Sequence, residues 1–222
     1  MKDTLALFDE YVEGVSSGRI LTNVHVKNAV RRHLKDLETG KDRGLYFDRD
    51  DAQYFMDMLC LMRHTKGRFQ NKPFDLQPFQ AFIVGSIFGW KKEDGTRRFR
   101  RVYLEMARKS AKSELAAGIA LLLLIFDGEK GAEVYSVATK AAQAKYIYSA
   151  SHYMARKLRE DSEYCKNHVR VLAHRIVLPD TISYMTVLSK DRGQGDQDGS
   201  SPHGYFVDEF HAHPDNSAPE TG

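Results

Sequence analysis

Cysteine is scarce: Cys60 and Cys165 are the only two in 222 residues, far apart and in segments of helical pattern. They form no paired-ligand spacing. Neither a disulfide framework nor a thiolate zinc site is therefore supported, and a reducing compartment suits the chain. Long apolar runs are also missing. The longest, 115–126, falls short of the about 20 residues that cross a bilayer and reads as a buried helix. Residues 1–11 scatter acids among apolar side chains and lack the apolar centre of a signal peptide. Charge of one sign is in small excess, with 33 Lys and Arg against 30 Asp and Glu, a net of +3. Overall charge therefore does not mark a nucleic-acid binder, and any such surface must be local. No internal repeat is evident. What is present, 42% hydrophobic and 28% charged residues, is the balance of a soluble chain able to bury a core.

One local cluster of charge exists. Arg97, Arg98, Arg100, Arg101, Arg108, Lys109 and Lys112 are interrupted by a single acid, Glu105. It reads either as a solvated entry to a strand or as a surface that neutralises the phosphates of a nucleotide or of DNA.

Residues 1–70 have a helical pattern. Apolar residues recur at helical spacing over 3–15, and again over 24–37 (Val26, Ala29, Val30, His33, Leu34, Leu37), where Gly40 closes the run. Asp48 is the expected N-cap of a third helix carrying Phe55, Met58, Leu59 and Met62 on one face. His33 and His64 read as core histidines rather than ligands. Pro73 and Pro78 punctuate the boundary, with 71–74 as a hinge, and 77–90 reads as a helix with Pro78 in its first turn.

From 101 the pattern changes to strands alternating with helices. Strand-like runs at 101–106, 132–138, 168–172, 175–178, 182–188 and 205–207 are interleaved with helices over 113–126 and 140–159. Residues 189–202, rich in Gly, Asp and Ser, read as a mobile loop. The expected fold is α/β, a mainly parallel sheet flanked by helices, preceded by a helical region. The division is 1–70 for that region and 71–222 for the α/β domain.

Two motifs carry chemistry. After the strand-like 101–106, the basic loop Ala107-Arg108-Lys109-Ser110-Ala111 closes on Lys112-Ser113 and opens the apolar helix. A nucleotide phosphate site needs this order: backbone N–H groups and a helix N-terminus aimed at an anion, a Lys for the outer phosphates, a hydroxyl for the metal. Met106 and Ala111 stand where the standard loop has Gly. The second motif, Tyr205-Phe206-Val207-Asp208-Glu209, is an apolar strand ending in two carboxylates, suited to hold Mg²⁺ and to accept a proton from an attacking water. If both motifs serve one site, 101–106 and 205–207 should be neighbouring parallel strands, with Lys112 and Asp208 meeting at one sheet edge.

The chain resembles the large terminase subunit of tailed bacteriophages, of the type found in prophages. The residues that carry the resemblance are Leu76-Gln77-Pro78-Phe79-Gln80, residues 107–114, and Phe206-Val207-Asp208-Glu209-Phe210-His211-Ala212-His213. The resemblance implies an ATP- and Mg²⁺-dependent motor that packages double-stranded DNA into a procapsid. In that family the phosphate loop carries an early Arg, matched here by Arg108, though Ala111 remains unusual. The resemblance gives Gln80 to the adenine edge and Arg108 to the transferring phosphate. Lys109, Ser110 and Ala111 would line the loop, and Lys112 would contact the β/γ-phosphates. Ser113 and Asp208 would hold the metal, and Glu209 would act on the attacking water. Arg192 is the candidate for an arginine supplied by a neighbouring subunit. The implied partners are DNA, the portal protein, the small terminase subunit and further copies in a ring. The implied place is the host bacterial cytoplasm, at the procapsid portal during assembly and not in the mature virion, with no membrane. Relatives continue into more ATPase strands and a nuclease domain that cuts DNA. The chain is therefore expected to be an amino-terminal portion, truncated at the end of its ATPase domain and without nuclease residues.

Other readings stay open at this level. Another P-loop motor, such as a helicase-like ATPase, would need further motifs. Asp208, Glu209, His211 and His213 could instead form a metal site. The chain could also be a non-catalytic remnant or a DNA- or packaging-interaction module. Read without the resemblance, Gln80 is a helix surface residue.

Overall fold

The computed structural model describes residues 3–107, 110–137, 141–188 and 201–208, with 141–145 as backbone only. The chain divides into two compact units, residues 1–60 with 74–105, and residues 61–73 with 106–222.

The first unit is mostly helical. Helix α1 spans Thr4–Ser16, capped by the Asp3 carboxylate on the Ala6 N–H, and α2 spans Val24–Thr39, capped by Asn23 on the Val26 N–H. Helix α3, Arg49–Cys60, starts where the sequence places it, with the Asp48 carboxylate accepting from the Asp51 N–H. Helix α4, Pro78–Gly89, packs on α1 and α3. Close approach of α1 and α4 depends on Gly85: a Cβ there would lie 2.6 Å from the Phe8 ring. An element with no sequence signal joins them, the antiparallel pair β1 (Leu45–Phe47) and β2 (Trp90–Lys92). Three residues per strand are too few to show a period of two.

The core of this unit is aromatic. Phe8, Phe47, Phe82 and Trp90 surround His33, with ring centroids 5.1 to 6.1 Å from the imidazole. The Trp90 indole N–H donates to His33 Nδ1 at 3.0 Å. Burial, opposed by Asp9 and Asp36, pushes the His33 pKa down to about 4. His33 is thus the core histidine its position on α2 suggests.

The second unit is α/β. Its helices are α5 (Lys112–Leu121), which passes into a π-helical turn at Leu122–Phe126, α6 (Ala141–Asp161) and α7 (Glu163–His168). Helix α7 is a separate helix with its own Ser162 cap. The strands are β3 (Glu133–Val137), β4 (Arg170–Val171), β5 (Arg175–Leu178), β6 (Ser183–Leu188) and β7 (Pro202–Val207). Their order is β4-β5-β6-β3-β7. Strand β3 is parallel to both neighbours, whereas β4–β5 and β5–β6 are antiparallel. The sheet is therefore mixed and not mainly parallel as expected. The short connections from β4 to β5 and from β5 to β6 allow only antiparallel returns, since a parallel pair needs a long crossover.

Residues 101–107 are the main correction. They form no strand, and the parallel neighbour of β7 is β3, in the register Val134↔Gly204 to Val137↔Val207. A strand is stabilised by ladder bonds and by burial of one face. This segment gains neither: Val102 is 52% and Tyr103 75% exposed, and arginines crowd its entry. Of the expected loop at 189–202, residues 189–200 lie outside the described residues, and Pro202 already belongs to β7.

Candidate functional site

The expected phosphate loop leads into the N-terminus of α5. Ser110 is half-buried, and its N–H donates to the Ala107 carbonyl at 3.3 Å. Ala111 then takes a left-handed conformation, φ 58° and ψ 24°, and Lys112 opens the helix. A left-handed residue turns the chain sharply into α5, and this is the job that glycine does without steric cost. The position that looked anomalous in sequence therefore has a backbone conformation that glycine adopts more readily than alanine. The Ala111 carbonyl accepts from the Leu115 N–H at 2.9 Å, which anchors the first turn.

Helix α5 is held from beneath by α6. The buried Ser151 hydroxyl bonds the carbonyls of Ala117 (3.2 Å) and Ile147 (3.1 Å), tying the two helices where small residues let them approach. The apolar face continues through the π-helical turn, where Leu122, Leu123, Leu124 and Ile125 are all buried.

Asp208 follows directly on β7 and is 7% exposed. The Ser113 hydroxyl donates to its Oδ2 at 2.8 Å, and the Lys112 ammonium lies 3.4 Å from its Oδ1. The two motifs therefore meet at the carboxyl end of a parallel strand, as expected, although 101–106 is not the strand beside it. A carboxylate this buried must be paired, and here its partners come from the first turn of α5. A hydroxyl and a carboxylate are hard oxygen donors. They fit Mg²⁺, which takes one or two protein oxygens and completes its shell with substrate phosphates and water.

Sequence reasoning missed the contacts of the next residue. Glu114, next after Ser113, accepts from the Thr65 N–H at 2.5 Å and the Thr65 hydroxyl at 2.8 Å, and its Oε2 lies 2.9 Å from His64 Nδ1. Burial alone would raise its pKa. The hydrogen bonds from Thr65 and His64 outweigh that and hold it below the ordinary carboxylate range. His64 is thus the partner of an acid and not a core histidine. Its segment is braced by Arg63, which grips both carboxylate oxygens of Asp161 at 2.6 and 2.8 Å. No local pattern links residues about fifty positions apart; the only cue was an acid placed directly after Lys-Ser.

Gln80 lies in the first turn of α4, in the other unit. It is 4% exposed, so it is not the surface residue that a bare helical pattern suggests. Its side-chain carbonyl accepts from the Gln77 N–H at 3.0 Å and closes a capping box. Arg108, Lys109, Arg192 and Glu209 lie outside the described residues, as do His211 and His213 of the alternative metal site. Among the described residues, no three His, Cys, Asp or Glu side chains gather as a metal site. Nor is any described helix long and apolar enough to cross a membrane.

The fold is similar to that of the HK97 bacteriophage large terminase, seen in its crystal structure, at a TM-score of 0.55 and 20% identity. The match covers 75% of this chain and 32% of that one, so the chain spans about a third of the length of that protein. No curated protein sequence matches significantly. The model of the terminase large subunit ATPase domain matches residues 78–221, a stretch that contains Gln80, the phosphate-loop region and Asp208. The chain belongs to the terminase large subunit family, through its ATPase domain.

Proposed function

We propose that this chain is the ATPase motor portion of a phage terminase, coupling ATP hydrolysis to the packaging of double-stranded DNA into a procapsid. The observation that carries the reading is the meeting of Lys112 and Ser113, at the start of α5, with Asp208 at the end of β7. Residues 1–70 form its helical amino-terminal region and 71–222 its P-loop domain.

In this reading the N–H groups at the start of α5, with Lys109, Ser110 and Ala111, wrap the phosphates of ATP. Lys112 turns from Asp208 to the β/γ-phosphates. Ser113 and Asp208 hold Mg²⁺, which when bound neutralises charge on the phosphate oxygens. Arg108 stabilises charge on the transferring group. Glu209 orients the attacking water and takes its proton. Gln80 reads the adenine edge through its amide, with the Gln77 capping bond fixing the orientation of the side chain. An arginine from a neighbouring copy, with Arg192 as the candidate, completes the site; such a residue is worth about 10³–10⁵ in rate. The motor works as a ring of copies on the portal protein, with the small terminase subunit and DNA, in the host cytoplasm.

The experiment is ATP hydrolysis by the chain with Mg²⁺, with chelator and with zinc, alongside Glu209→Gln. Mg²⁺-dependent turnover that falls by orders of magnitude in E209Q, with nucleotide binding retained, is the expected result. Activity restored by zinc alone would favour a metal site built from Asp208, Glu209, His211 and His213. Equal loss of binding and turnover in E209Q would make Glu209 a ligand or a fold residue.

A further inference from the structure

The first unit carries a cleft of about 490 Å³. Helix α2 lines it with Asn28, Arg31, Arg32, Lys35 and Asp36, and Arg43 and Arg98 close it. Five of these residues are cationic, and the one carboxylate, Asp36, is 3% exposed in its side chain. Asp36 is ion-paired with both Arg43 and Arg98. It offsets one charge and fixes two guanidinium groups. Arg98 is further held against the rings of Trp90 (5.2 Å) and Phe99 (4.9 Å), and Arg32 lies 5.0 Å from the same Phe99 ring. Arg31 is steadied by the Asn28 side-chain carbonyl at 2.9 Å. Guanidinium groups anchored in this way lose little freedom when they bind an anion, and their planar fork suits a phosphate.

The charge continues beyond the cleft. Lys27, Arg31 and Lys35 are exposed on α2 at four-residue intervals, which gives cations about every 6 Å along the helix. A single small anion would use one end of such a row, and a chain of phosphates would use all of it. Every residue lining the cleft is polar or charged, and five of the seven carry the positive charge that a phosphate complements.

We infer that this cleft and the cationic face of α2 grip the phosphate backbone of duplex DNA. The surface lies on a different unit from the Lys112–Asp208 pair. Apart from Arg98, its residues also precede the stretch that matches the family model. The phosphodiester chemistry rests on the cleft alone, and the choice of duplex DNA rests on the proposed packaging reading.

The test is fluorescence anisotropy of a labelled 30-base-pair duplex with the full chain. It is run without nucleotide and with EDTA, so that its outcome is independent of ATP chemistry. The variant R31Q/R32Q/K35Q changes three exposed side chains. It should weaken binding at least about tenfold near 100 mM salt and reduce the slope of log K against log salt by about two to three. R31E/K35E leaves Arg32 on Phe99 and should weaken binding at least as much. Parent-like binding or an unchanged slope in these variants, with circular dichroism like the parent's, would overturn the assignment. Binding of poly-glutamate of matched charge as tightly as the duplex would also overturn it, in favour of an acidic protein partner. Loss of ATP binding with DNA binding intact would count against the proposed ATPase and leave this surface standing.

Discussion

Ser113 and Asp208 are 95 residues apart in sequence and joined by a 2.8 Å hydrogen bond. One opens a helix and the other ends a strand, so the bond closes the angle between α5 and β7. Lys112 reaches the other oxygen of the same carboxylate. In the proposed site the hydroxyl and the carboxylate would share an ion while the neighbouring ammonium would move to a phosphate.

Ala111 bears a testable cost. An L-residue in the left-handed region costs about 1–2 kcal/mol, and glycine returns part of that gain through its greater freedom when unfolded. Ala111→Gly should therefore stabilise the chain by a few tenths to about 1 kcal/mol in urea titrations, and Ala111→Val should destabilise it. The reverse order of stabilities would show that this residue is not left-handed in solution.

Glu114 should contribute to stability in a pH-dependent way. Its folded-state pKa is lowered, so below the ordinary carboxylate range the unfolded chain binds the extra proton. The contribution is full at neutral pH and is lost as pH falls through that range. Glu114→Gln should cost about 1–3 kcal/mol at pH 7, the scale of hydrogen bonds to a charged group. The gap between variant and parent should close in acid. A gap constant from pH 7 to pH 3 would mean that the carboxylate charge plays no part.

His33 acts in a neighbouring window. Its pKa falls from 6.5 to about 4 on folding, so between those values the unfolded state holds more protons and stability drops as pH falls. The full effect is on the order of 3 kcal/mol. Trp90 is the only tryptophan and touches His33 directly, so its fluorescence can follow unfolding. His33→Gln keeps an acceptor for the indole and should flatten the stability profile between pH 6.5 and 4. An unaltered slope would assign that sensitivity to other groups.

Much of this architecture is legible in the sequence because its determinants are local. Asp48 announces a helix start by residue type, and the apolar runs of β3 and β6 are strands at the expected places. The failures have a common cause, since each depends on a partner distant in the chain. Residues 101–106 alternate convincingly, but a strand exists only where a neighbour offers a ladder. The pairing of β1 with β2 and the contact of Glu114 with Thr65 leave no mark on nearby residues. Within the candidate site, Lys112, Ser113 and Asp208 could be found because their types and flanking elements suit phosphate chemistry. The left-handed turn at Ala111 was hidden by a residue that rarely adopts it.

The most direct test of the central claim is equilibrium binding of a fluorescent ATP analogue to the full chain with Mg²⁺, compared with Lys112→Ala and Asp208→Asn. The account expects saturable binding by the parent. K112A should weaken it at least tenfold with or without Mg²⁺, and D208N should weaken only the Mg²⁺-dependent part. Parent-like affinity in both variants would contradict the assignment of Lys112, Ser113 and Asp208 to a nucleotide site.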